Sequence, residues 1–110
     1  MSKIIKKIHP TAVVSKKAIL EKDVEVGPYC VIGDKVKIGR GTQILNNVTI
    51  DGLTELGENN KVFSGAIIGS PPQDLKYKGE ESFLYIGSNN IIREFVTINL
   101  GTNKNTTRIG

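Results

Sequence analysis

From Ile8 onward an aliphatic side chain stands at every sixth position: Ile8, Val14, Leu20, Val26, Ile32, Ile38, Ile44, Ile50, Leu56, Val62 and Ile68 are all Ile, Val or Leu. Two residues before most of these stands a second small or apolar residue, in the order Ala12, Ala18, Val24, Cys30, Val36, Thr42, Val48, Thr54, Asn60 and Ala66. Residues two apart on a strand share a face. Each hexapeptide therefore predicts a short strand with two side chains inward and the one between them outward.

The corners between strands are also written into the chain. Gly27, Gly33, Gly39, Gly57, Gly69 and Gly87 each follow an inward aliphatic residue, and Gly41, Asn47, Asn59, Gly65, Asn89 and Gly101 come two residues later. Gly and Asn enter left-handed backbone conformations at least cost, as a corner recurring every six residues requires. Six residues to a side and three sides to a coil close a triangular prism of parallel strands around a stacked aliphatic interior. The expected fold is all-β, a parallel β-helix forming one domain over residues 1–110.

Between Ile68 and Ile86 the rhythm breaks into Pro-Pro-Gln-Asp-Leu-Lys-Tyr-Lys-Gly. Leu84 with Ile86, Asn90 with Ile92, and Val96 with Ile98 then resume the inward pairs, so residues 69–83 are expected to form an excursion from a continuous coil. Counting eighteen residues to a coil puts the outward residues Val13, Val31, Thr49, Ile67 and Tyr85 on one face. A second face carries Ile19, Lys37, Glu55 and Ile91, and a third Glu25, Gln43, Lys61 and Thr97. The first set is an apolar stripe of the kind that marks an interface, and we expect it to be buried in a homo-oligomer, a trimer. The alternative is that β-branched residues fill these strand positions by propensity alone.

Composition narrows the function classes. The net charge of +4 and pI near 9.3 suit an acidic partner, but the lysines are scattered and lack interleaved aromatics, so no nucleic acid is expected and a merely solubilising surface is the other reading. No apolar run is long enough for a signal peptide or a membrane span, which predicts a cytoplasmic protein without an integral membrane segment. The single cysteine, Cys30, excludes an intrachain disulfide and a cysteine-based zinc framework, and reads as a small buried side chain. No metal or other cofactor is expected. A γ-type carbonic anhydrase would need three zinc-binding histidines where this chain has only His9. An ice-binding solenoid would show an array of threonines along one face, and the outward positions carry only Thr49 and Thr97.

A loop leaving a rigid rod is where function is usually sited. Here Gln73 and Asp74 offer hydrogen bonds suited to sugar hydroxyls, and Lys76 a mobile charge suited to phosphate. On composition alone a solvated loop without function fits equally well.

The segments IHPTA, VGPYCVIG, PPQDLKYKGE and IREFVTINLGT together resemble the bacterial UDP-N-acetylglucosamine O-acyltransferase family, over essentially the whole chain. QDLKY is the selective part, disfavouring the N-acyltransferase that acts later in the same pathway and the small acetyltransferases. The resemblance implies a left-handed β-helix and a homotrimer with sites in clefts between neighbouring rods, without metal or redox cofactor. It implies transfer of a (R)-3-hydroxyacyl chain from acyl carrier protein to the 3-position of UDP-N-acetylglucosamine, the first step of lipid A biosynthesis. Gln73, Asp74 and Lys76 would hold the nucleotide sugar, and the acidic carrier protein would give the basic surface a reason.

The family's general base is a histidine in a coil further along than this chain reaches, so no catalytic residue is expected within it. His9, at the far end of the rod, reads as a turn residue. Asn99-Leu100 stands where relatives commonly carry His or Ser and then Arg. Ile109-Gly110 reads as the opening of a fresh repeat, so a segment of a longer enzyme or a truncated product is expected. The alternative function is a noncatalytic scaffold or oligomerisation segment that retains nucleotide-sugar binding.

Overall fold

A computed structural model of the chain describes residues 7–70, 83–99 and 106–110, with the backbone alone for Ser70 and 106–108. Every strand pairs in parallel with the strand one coil away, and the strands form three flat ladders of five. Face A comprises β1 (Lys7–Ile8), β4 (Glu25–Val26), β7 (Gln43–Ile44), β10 (Lys61–Val62) and β13 (Ile91–Ile92). Face B comprises β2 (Val13–Val14), β5 (Val31–Ile32), β8 (Thr49–Ile50), β11 (Ile67–Ser70) and β14 (Thr97–Asn99). Face C comprises β3 (Ile19–Leu20), β6 (Val36–Ile38), β9 (Leu53–Leu56), β12 (Phe83–Ile86) and β15 (Thr106–Ile109). The chain visits A, B and C in turn.

The interior is the predicted aliphatic column. Ile32, Ile38, Ile50, Leu56, Ile68, Leu84 and Ile86 are buried, as are the partners two residues earlier, Val24, Cys30, Val36, Val48 and Ala66. Toward the first coil the column opens to solvent, and Ile8 is 41% exposed. Three polar residues, Thr42, Thr54 and Asn60, are also buried among the described residues.

Two different requirements divide the corner glycines. Gly27, Gly39 and Gly57 do not have positive φ; they are glycine because the next coil lies against them. A Cβ at Gly39 would stand 2.5 Å from the carbonyl oxygen of Gly57, and one at Gly27 2.7 Å from that of Leu45. The left-handed residues come two positions later and include side chains the sequence did not single out: Asp23, Tyr29 and Phe95 join Asn47, Asn59 and Asn89 with φ between 55° and 63°. Corner geometry here overrides residue preference, since Tyr and Phe enter this region only at a cost.

The face assignment needs one correction, which begins at the interruption. Tyr85 does not join Val13, Val31, Thr49 and Ile67; it lies on face C in register with Glu55. Likewise Ile91 pairs with Lys61 on face A, and Thr97 with Ile67 on face B. The chain leaves after β11 on face B and re-enters at β12 on face C, the next side in order. The interruption thus falls between faces B and C without consuming a side, and partners across it are thirty residues apart instead of eighteen. Its expected ends, Gly69 and Phe83, belong to strands β11 and β12; residues 71–82 lie outside the described residues.

Candidate functional site

The corner between faces B and C is where the hexapeptide step is interrupted after β11, and Gly69, Asp51 and Thr54, with Ser70 and Asn99 beside them, build what is described of it. Gly69 is buried with φ +81°, and a Cβ there would fall on the carbonyl oxygen of Asp51 and the hydroxyl of Thr54. Thr54, itself buried, donates its hydroxyl to that same Asp51 carbonyl at 2.7 Å. Only glycine satisfies both the left-handed turn and the close approach at this residue of β11. Asn99 ends β14 in register with Ser70, past a bulge that follows Ile68. The position where this chain departs from its resemblance therefore stands beside the root of the excursion.

Gln73, Asp74 and Lys76, expected to bind the sugar nucleotide, lie outside the described residues. Among the residues expected at an interface, Val13, Val31, Thr49 and Ile67 do share face B, joined there by Thr97. Val13, Val31 and Ile67 are 65%, 44% and 39% exposed, an apolar ladder with solvent in front of it in the single chain.

The remaining chemistry is structural. His9 Nδ1 accepts the Thr11 backbone N–H at 3.1 Å and lies 2.8 Å from the Thr11 hydroxyl, which accepts the Tyr29 N–H at 3.0 Å. That is a corner fastening in the first coil, remote from Gly69. The Cys30 thiol is buried and donates to the Leu45 carbonyl at 2.7 Å; burial pushes it above the ordinary thiol range, the reverse of what a nucleophile needs. A groove of about 630 Å³ along face A holds Lys7, Glu25, Gln43 and Lys61, with Gln43 Nε2 donating to Glu25 at 3.4 Å. It faces away from the excursion corner. No cluster of three His, Cys, Asp or Glu side chains suited to a metal occurs among the described residues, and no helix is long and apolar enough to cross a membrane.

Sequence reasoning passed over two arrangements. On the corner between faces A and B, the Arg93 guanidinium sits 4.3 Å from the centre of the Phe63 ring, and the exposed Phe95 ring covers Gly65. Inside the rod, Asn60 and Asn90 bond across adjacent coils. The only hint was a polar residue recurring at one inward position, Thr42, Asn60 and Asn90.

Comparison with known proteins places this geometry. Residues 17–52 match the family model for bacterial transferase hexapeptides (six repeats). The UDP-N-acetylglucosamine O-acyltransferase of Thermodesulfovibrio yellowstonii is 58% identical over 91 residues, 83% of this chain and 35% of the relative. That of Psychrobacter sp. is 48% identical over 105 residues, 94% of this chain and 40% of the relative. The chain thus spans about two fifths or less of the curated relatives it matches. Among solved structures, LpxA from Acinetobacter baumannii superposes with a TM-score of 0.90 at 47% identity, covering 94% of this chain and 41% of that one. The Francisella novicida UDP-N-acetylglucosamine acyltransferase gives 0.89 at 44%, over 94% of this chain and 38% of that one. Identity at this level through a repeating coil, an interruption at Gly69 and the coil that resumes after it leaves one assignment: this chain belongs to the UDP-N-acetylglucosamine O-acyltransferase family of left-handed hexapeptide β-helices.

Proposed function

We propose that this chain is the nucleotide-sugar-holding portion of an acyltransferase that moves a (R)-3-hydroxyacyl chain from acyl carrier protein to the 3-position of UDP-N-acetylglucosamine, the first step of lipid A biosynthesis. The sugar oxygen attacks the thioester carbon, the C–S bond breaks, and the proton of the attacking hydroxyl ends on the departing thiol. No electrons are exchanged, so the step calls for no redox cofactor. It needs a base for the sugar proton and a donor for the developing oxyanion. Gln73 and Asp74 bind and orient sugar hydroxyls, and Lys76 meets the diphosphate as a point charge. His9, fastened to Thr11 in the first coil, is not the base.

The molecule acts as a homotrimer in the cytoplasm, with the face B ladder of Val13, Val31, Thr49 and Ile67 buried between copies and the acidic carrier protein approaching a basic surface. What carries the proposal is the 58% identity to an enzyme of this name, combined with an excursion that leaves the coil at Gly69 and contains QDLKY.

Calorimetric titration of the 110-residue protein with UDP-N-acetylglucosamine tests it. Saturable binding is expected in the wild type and its loss in Asp74→Ala, with the melting temperature unchanged. Equal binding by Asp74→Ala, or none by the wild type, would refute the site. Binding without acyl transfer would favour the noncatalytic scaffold, the reading supported by a single histidine that is bound up in the first coil.

A further inference from the structure

The aliphatic pattern alone does not tell the chain where to re-enter after its excursion. The inward pairs Leu84 with Ile86, Asn90 with Ile92, and Val96 with Ile98 would stack on aliphatic residues of any face. The three columns differ at the position two residues earlier. Ahead of face B it reads Cys30, Val48, Ala66, and ahead of face C Val36, Thr54, Leu84. Ahead of face A it reads Val24, Thr42, Asn60, Asn90.

That last column speaks from coil to coil. Thr42 Oγ1 donates to the Gly57 carbonyl at 2.9 Å and accepts the Asn60 N–H at 3.2 Å. Asn60, 1% exposed, repeats the device one coil on: its Nδ2 donates to the Gly87 carbonyl at 2.7 Å and its Oδ1 accepts the Asn90 N–H at 2.8 Å. Asn90 Nδ2 donates in turn to the Gly110 carbonyl at 2.9 Å. Thr54, the buried polar residue of another column, spends its hydroxyl within its own corner on Asp51.

We propose that Asn60, with Asn90 seated over it, decides the face on which the chain re-enters the coil. Entry one face late would place Leu84 over Asn60 and Asn90 over Ala66, and would carry the Gly87 carbonyl, the acceptor of Asn60 Nδ2, on to the following corner. A buried amide without a partner is costly, and a single buried Asn fixes register in coiled coils for this reason. The face of re-entry sets Asn99 beside Ser70 and thereby fixes what surrounds the root of the arm.

Paired cysteines read the register directly. Outward neighbours on adjacent strands are about 4.8 Å apart, within disulfide reach. Glu55→Cys with Tyr85→Cys reports the observed entry, and Lys61→Cys with Tyr85→Cys reports entry one face late. With Asn60 intact only the 55/85 pair closes. Asn60→Val is expected to lower that yield at least threefold and to let the 61/85 pair form, whereas Asn60→Thr, able to bond as Thr42 does, keeps the wild-type product. An unchanged 55/85 yield without 61/85 product in Asn60→Val, or equal scrambling in Asn60→Thr, overturns the proposal. Should Asn60→Val not fold, Asn60→Val with Asn90→Val leaves Thr42 as the one polar residue described in the column, and a single 55/85 product there overturns it as well. Cross-linking needs no substrate, so failure of nucleotide-sugar binding leaves this test intact.

Discussion

Ile86 lies in parallel register with Leu56, thirty residues earlier, and carries Tyr85 into register with Glu55. Before the interruption the step is eighteen, as between Val26 and Ile44, and between β12 and β15 it is twenty-three, as between Ile86 and Ile109. Tyr85, Ile91 and Thr97 are therefore each one face away from where an unbroken count puts them, and the proposed interface changes membership accordingly.

The corrected ladder makes a paired test of the trimer. Val31→Glu with Ile67→Glu places two charges on face B and is expected to convert trimers to monomers in sedimentation velocity, because burying an unpaired carboxylate is prohibitive. Tyr85→Glu, on face C, leaves sedimentation as in the wild type. Unchanged sedimentation of the face B variant would remove the ladder from the interface.

Stability should follow the stacked interior and ignore the outward positions. Ile50→Ala empties a fully buried site and is expected to cost about 2–5 kcal/mol in guanidinium unfolding. Ile91→Ala, at a position 65% exposed, is expected to stay within about 0.5 kcal/mol of wild type. Comparable losses for the two would contradict the burial pattern.

The two kinds of corner position predict opposite responses. Gly39→Ala drives a methyl to within 2.5 Å of the Gly57 carbonyl and is expected to cost more than 1 kcal/mol, about the scale of an overpacked core. Tyr29→Asn relieves an aromatic residue held at φ 60° and is expected to raise the melting temperature, by about 0.5–1 kcal/mol of stability. A thermal scan of both variants decides; a stabilised Gly39→Ala would show that the coils yield to the added methyl.

Cys30 gives the chain an alkaline sensitivity. Burial raises its thiol above the ordinary 9.0, so the unfolded chain ionises first. Stability from the neutral thiol is complete below that value and lost as pH rises past it. The stability advantage of wild type over Cys30→Ala is thus expected to shrink as pH rises past 9.0 in urea unfolding. A difference that stays constant through that rise would show the thiolate to be tolerated inside.

The hexapeptide frame made the solenoid legible before any coordinates. Packing aliphatic residues such as Ile32, Ile50 and Ile68 in one column is a local, periodic requirement, and a periodic requirement leaves a periodic trace in the chain. The identity of the excursion was legible for the opposite reason, since PPQDLKYKGE violates the frame. Three things needed the folded molecule. The face of re-entry depends on bonds between Asn60 and the coil containing Asn90, partners with no fixed spacing in sequence. The reason for Gly39 and Gly57 lies in a neighbouring coil's carbonyl, not in their own dihedral angles. The strained residues Tyr29 and Phe95 share the corner from face A to face B with Asn47 and Gly65, and all four take the left-handed conformation although two of them are aromatic. Periodicity thus specified what packs inward, while contacts across coils decided which coil meets which.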